Sequence, residues 1–195
     1  MLKRYVISAM LLAFVLGWAG ICELEAVEFS PTAKQVKEAI ELGIKLKDTP
    51  EKLFEPYEFG KRGVETNGYV MTKLFQVSQR AASLARKKQP VLPNSFNDIL
   101  KQDYLLFPLY VLAADRKGLE HVKVILRQGI KSIKPAKLLK DPIKKALCRK
   151  GDCLYKRDVY AGFLQKDLDP SRLAVLVISS GGGTLEFPLS LDTYK

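Results

Sequence analysis

From residue 30 onward, apolar side chains recur first at helical spacing and later at alternating spacing. Ser30 is a favoured helix N-cap and Pro31 suits a first helical position. Ala33, Val36, Ile40 and Ile44 then follow at intervals of three and four, which puts them on one helical face. Lys34 with Glu38, and Glu41 with Lys45, stand four apart as candidate ion pairs. Thr49-Pro50 repeats the start signal ahead of Leu53, Phe54 and Tyr57, a second short helix. Gly60, Gly63 and Asn67-Gly68 read as a loop. In residues 69–88, Tyr69, Met71, Phe75 and Val77 share strand parity, but Lys73 interrupts them. Leu74, Val77, Ala81, Leu84 and Ala85 form a helical face instead, and the spacing predicts a helix over 71–88 ended by Pro90 and Pro93. Asn94-Ser95 can cap one more turn through Ile99 and Leu100.

The texture changes at residue 104. Tyr104 to Ala113 is a dense apolar run, and Pro108 inside it argues for a strand near a sheet edge. Val122, Val124 and Leu126 alternate with His121, Lys123 and Ile125, and Gln128-Gly129 turns the chain into a short strand ending at Pro135. Tyr155, Arg157, Val159, Ala161 and Phe163 alternate again. Asp169-Pro170-Ser171 is a turn, Leu173 to Ile178 a buried strand, residues 179–183 a glycine-rich hairpin loop, and Thr184 to Leu191 the returning strand.

Six short strands after a run of helices predict an α+β fold, N-terminal helices packed on a C-terminal antiparallel β-sandwich. The strand spacing resembles that of immunoglobulin-type sandwiches, and no motif assigns a family. The expected organisation is a signal peptide at 1–26, a helical part at 27–103 and a sandwich part at 104–195; 27–195 is also readable as one compact domain.

The first 26 residues carry the signal-peptide reading. Lys3 and Arg4 precede an apolar run from Val6 to Ile21, followed by Glu23, Glu25 and the small Ala26. The run is shorter than the roughly 20 residues that span a bilayer with ease. Cleavage after Ala26, with Ala19 as second choice, would send the protein to the periplasm or cell envelope. The alternatives are an uncleaved anchor and lipidation at Cys22, though Ile21 stands where a lipidation signal has a small residue.

The chain of 195 residues holds 32 Lys and Arg against 21 Asp and Glu, one His and three Cys, with a formal charge of +11. Removing residues 1–26 leaves Cys148 and Cys153, an even pair that in an oxidising compartment predicts a disulfide around a turn-like Arg-Lys-Gly-Asp insert. Four intervening residues do not match the two of a thioredoxin-type redox pair. With His121 the only histidine, a zinc site lacks ligands, and no metal or cofactor is expected.

Most of the excess charge sits in residues 131–157, where ten basic residues face two acids, a local +8. Lys131, Lys134, Lys137, Lys140, Lys144, Lys145, Arg149 and Lys150 are the candidate contacts to an anionic envelope surface, lipid headgroups or acidic polysaccharide, or to an envelope protein. A solvated lysine-rich run without a partner is the plain alternative. Nucleic acid is disfavoured by export and by the lack of interleaved aromatics. His121 falls on the solvent parity, Asp167 and Asp169 belong with a turn, and glycines 181–183 lack the Lys-Ser/Thr of a phosphate loop. These features predict an exported, non-catalytic envelope-associated binding or accessory protein. A periplasmic hydrolase with an unrecognised acidic site, and a chaperone-like module offering a sheet edge, are the alternatives.

Overall fold

The computed structural model of the chain describes residues 29–62, 65–149 and 152–194. The expected signal segment with Cys22 and Ala26, together with Gly63 and Lys150, lies outside the described residues. The fold is α+β: helices in the N-terminal half and two antiparallel sheets of six and four strands packed face to face.

Helix α1 spans Ala33–Lys45. Its cap is Thr32 rather than Ser30: the Thr32 hydroxyl accepts from the Gln35 amide, and Gln35 Oε1 accepts in return from the Thr32 N–H at 2.8 Å. A Thr-x-x-Gln box satisfies two orphan donors at once, where serine alone would satisfy one. The buried seam is Ala39 and Gly43, flanked by half-buried Val36 and Ile40, while Ile44 is exposed. The predicted face is therefore rotated, because α1 meets its neighbour through its smallest residues. The Lys34–Glu38 pair forms at 3.9 Å, but Glu41 pairs with Lys37 instead of Lys45.

Helix α2 (Glu51–Phe54) runs into a 3₁₀ turn at Glu55–Tyr57. Helix α3 (Lys73–Arg86) is capped by Thr72. Its first six residues, Lys73 to Ser78, are all buried, because two partners claim it. Leu74, Val77 and Ala81 face α1, Phe96 and Ile99, while Phe75 and Ala82 face Leu53, Phe54 and Tyr57. Lys73 enters the interior with its ammonium donating to the carbonyls of Phe29 and Leu100. Helix α4 (Asn97–Leu100) closes this part, tied to α3 by the Arg80–Asp98 ion pair.

The six-stranded sheet runs β1 (Glu58–Phe59), β2 (Asn67–Tyr69), β3 (Tyr104–Ala113), β8 (Asp152–Leu164), with β6 (Lys137–Lys140) and β7 (Lys144–Arg149) end to end along the far side of β8. The four-stranded sheet runs β10 (Gly183–Ser190), β9 (Leu173–Ser180), β4 (Lys123–Gln128), β5 (Lys131–Ile133). Leu105, Phe107, Leu109 and Val111 of β3 and Val159, Ala161 and Phe163 of β8 alternate into the shared core. Leu126, Leu176, Ile178 and Leu189 meet them from the other sheet.

Three expectations are corrected here. Asn67-Gly68 is strand, not loop: a Cβ on Gly68 would fall 2.6 Å from the Pro108 carbonyl, so glycine permits β2 to close on β3. The strand holding Pro108 is interior, between β2 and β8. Its register places Pro108 opposite Tyr69, the point where pairing with β2 is interrupted between Gly68↔Leu109 and Met71↔Leu106. The residue without an N–H thus sits at the gap in the β2–β3 ladder. Finally, β6 and β7 lie in the segment that charge disguised as loop, and with β1 and β2 they bring the described residues to ten strands where the pattern predicts six.

Candidate binding face

Strand β5 ends one edge of its sheet, and β6 and β7 form the edge of the other. Only residues 134–136 connect β5 to β6, so the two edges lie on the same narrow side of the sandwich. Lys131, Lys134, Lys137, Lys140, Lys144 and Lys145 are all exposed along it. Arg149 belongs to β7, paired with Asp152. Lys131 donates to the Asp167 carbonyl at 2.7 Å. The opposite side, where β1 and β10 approach, is closed by Phe59 against Phe187, ring centroids 5.1 Å apart.

Two neighbouring cations have separate fates. Lys156 reaches the outer surface, 3.6 Å from Asp158 Oδ1. Arg157 turns to structural work: its guanidinium donates to the carbonyls of Asp141 at 2.9 Å, Leu119 at 2.8 Å and Glu120 at 3.1 Å. It ties β8 to the link between β6 and β7 and to the turn before β4. Alternation alone could not separate them from the surface run, because both sit in a strand of mixed polarity.

The outward face of the six-stranded sheet holds an arrangement the sequence reading missed. Register aligns Asn67, Tyr110 and Asp158 in one row across β2, β3 and β8. In the next rows stand Leu112, Lys156 and Lys144 on one side, and Pro108, Tyr160 and Leu139 on the other. Tyr69 meets Tyr110 edge to face at 6.1 Å, and Phe54 of α2 backs Tyr69 at 5.1 Å. Each of three tyrosines carries a cation over its ring: Arg62 at Tyr69 (5.7 Å), Lys137 at Tyr104 (5.9 Å) and Lys156 at Tyr110 (6.0 Å). Arg62 also donates to the Tyr69 hydroxyl and pairs with Glu58 at 3.2 Å. Burial raises the pKa of Tyr110, and Tyr69, Tyr160 and Asp158 reinforce the rise. Burial likewise raises Tyr69 and Tyr160. The only sequence signal was tyrosine on one parity in strands a register apart, which no one-dimensional pattern aligns.

Two cavities open on this face and share Tyr110. One, about 260 Å³, is lined by Asn67, Tyr110, Leu112, Leu147, Leu154 and Lys156. The other, about 460 Å³, lies between Phe54, Arg62, Tyr69 and Tyr110. A third of about 480 Å³, between α2 and α3, carries Arg80 and Arg86 but no carboxylate.

The remaining sequence candidates are accounted for by structure. The Sγ atoms of Cys148 and Cys153 stand at bonding distance, 2.09 Å, across the β7–β8 hairpin. His121 is exposed. Asp169 accepts from the Ser171 amide and hydroxyl, which holds its carboxyl below the usual range, and its backbone is fastened to buried Gln128. Gly181 packs on Gly118, where a Cβ would fall 2.8 Å from the Gly118 Cα. Among the described residues, no three His, Cys, Asp or Glu gather as a metal site, and no helix is long and apolar enough to cross a membrane. Neither a family model nor a curated protein matches the chain.

Proposed function

We propose that the protein is exported and binds an anionic surface of the cell envelope through the lysine-lined side of its sandwich. The observation that carries this reading is the shared side of β5, β6 and β7, with six exposed lysines and no carboxylate on those strands up to Lys145. Exposed charges act over about 8 Å at physiological salt, so a partner must come into contact. At about 1 kcal/mol per lysine, six together give a dissociation constant on the order of tens of micromolar.

The cysteine pair at bonding distance supports an oxidising destination and a native disulfide. Lysines on open strand edges discourage strand addition, which weighs against a chaperone-like use of those edges. The four cavities lined by Arg80, Lys156, Arg62 and Gln35 bring together at most one carboxylate each, which favours binding over acid–base hydrolysis. The envelope material is a lipid headgroup or an acidic polysaccharide, both presenting fixed negative charge.

Co-sedimentation tests the reading, using phosphatidylglycerol and phosphatidylcholine vesicles and acidic and neutral polysaccharide gels at low and high salt. Binding to at least one anionic material, lost at high salt and in a variant with Lys134, Lys137, Lys140 and Lys144 changed to Glu, is expected. Equal binding to neutral materials, or none to either anionic one at low salt, overturns it. Export is tested separately by intact mass, where mature protein should begin at Val27.

A further inference from the structure

The cavity at Asn67 and Tyr110 contains a buried acceptor with nothing to accept from. Asn67 is 2% exposed, and its Oδ1 has no hydrogen-bond partner. The amide cannot simply be turned around, because Nδ2 already donates to the carbonyls of Glu65 at 2.9 Å and Lys61 at 3.5 Å. Asp158 Oδ1, in the same row across Tyr110, is also buried and has no hydrogen bond, but it is ion-paired with the Lys156 ammonium at 3.6 Å. A buried acceptor left open is costly, so Asn67 Oδ1, on a residue that lines this cavity, calls for a donor.

The ligand chemistry follows from what surrounds them. Leu112, Leu147 and Leu154 supply an apolar wall, and the Tyr110 ring supplies an amphipathic edge. Lys156 places a positive charge at the rim, 6.0 Å from the Tyr110 centroid. The phosphate of a lipid headgroup would bring only further acceptors against Asn67 Oδ1, and a glycerol's hydroxyls come without a ring face for the apolar wall. An ammonium ligand would meet Lys156. An acidic sugar brings all three complements together: a hydroxyl donor for the open oxygen, C–H faces for the apolar wall and ring, and a carboxylate for the lysine.

We infer that the cavity between β2, β3, β7 and β8 is a subsite for one uronic-acid unit of an acidic polysaccharide, with Asn67 Oδ1 accepting from a sugar hydroxyl and Lys156 pairing with the sugar carboxylate. This rests on the proposed anionic-surface binding and selects polysaccharide over lipid within it. The lysines of β6 and β7 then line the path of neighbouring units.

The experiment is calorimetric titration of the mature protein with a galacturonic acid trimer, a galactose trimer and phosphatidylglycerol vesicles, joined to NMR of the Asn67 side-chain amide. The uronate trimer should bind at least about tenfold more tightly than the neutral trimer and shift the Asn67 NH₂ resonances. Lys156→Met and Tyr110→Ala should each weaken it about tenfold, whereas Lys145→Met, which removes the same charge outside the cavity, should change affinity less than twofold. Melting curves verify that each variant folds, and the Asn67 resonances test the site in unmutated protein. Uronate binding indifferent to Lys156→Met and Tyr110→Ala but abolished by the fourfold Lys→Glu variant overturns the subsite and leaves the charged-side reading standing. Binding to the vesicles but not to the uronate trimer does the same. Failure of every anionic probe overturns both.

Discussion

Gly43 of α1 lies so close to α3 that a Cβ added to it would stand 2.1 Å from the Ser78 carbonyl oxygen and 3.0 Å from the Ala81 Cβ. The two helices meet backbone to backbone along Ala39, Gly43, Ser78 and Ala81. The Ser78 hydroxyl is turned away from the contact onto the Leu74 carbonyl at 3.1 Å. In an exposed helix, replacing glycine by alanine would stabilise by about 1 kcal/mol. Here the clash opposes that gain, since overpacking costs about 1–3 kcal/mol and the struck atom belongs to the backbone. Gly43→Ala is therefore expected to lower stability, by up to about 2 kcal/mol, in urea unfolding. A variant more stable than wild type would show that the helices do not pack this closely.

Arg157 and Lys156 provide a second comparison. Three carbonyls depend on the Arg157 guanidinium, and hydrogen bonds to a charged group contribute about 1.5–3 kcal/mol where the partners stay desolvated. Arg157→Gln should destabilise the protein by about 2–3 kcal/mol, while Lys156→Met, which removes only the ion pair to Asp158, should cost no more than about 1 kcal/mol. Thermal melting of both proteins checks this, and equal effects would contradict the division between structural and surface cation.

The β7–β8 hairpin should retain its pairing without its cysteines. Cys148 and Cys153 close a ring with a sequence separation of 5, so the chain-entropy model assigns the bridge only about 2 kcal/mol. The double Cys→Ser variant should lose no more than that. Non-reducing peptide mapping of the native protein should recover the two peptides linked, and free thiol at both positions would remove the bridge from the account.

The tyrosines predict an alkaline limit to stability. Burial raises the folded-state pKa of Tyr57, Tyr69, Tyr110, Tyr160 and Tyr194 above 10.0. A raised folded value means that the unfolded chain gives up its protons first. The contribution is therefore fully present below about pH 10, and is lost as pH rises through the folded values. Titration of phenolate absorbance should show late-ionising tyrosines, and urea midpoints should fall above about pH 10. Ionisation of every tyrosine at the free-residue value in folded protein would refute it.

The sequence by itself determined the fold class, the helix over most of 71–88, the strands from Val122 to Gln128 and from Leu173 onward, and the turn at Asp169-Pro170-Ser171. In each of these a local period or a turn residue agrees with the side the chain buries. It also placed the charge, because lysines exposed on an edge are exposed in any arrangement of that edge. The face of α1, the interior position of Pro108 and the strands β1, β2, β6 and β7 were decided by tertiary structure. Their placement depends on neighbours distant in the chain: Ser78 for Gly43, Tyr69 for Pro108, and Gly162 with Ala161 for Lys137 and Leu138. The same reason hid the outer face. Asn67, Tyr110 and Asp158 are separated by dozens of residues in sequence and become one row only when β2, β3 and β8 pair in register. An open acceptor such as Asn67 Oδ1 exists only once the chain around it has used every other partner within reach.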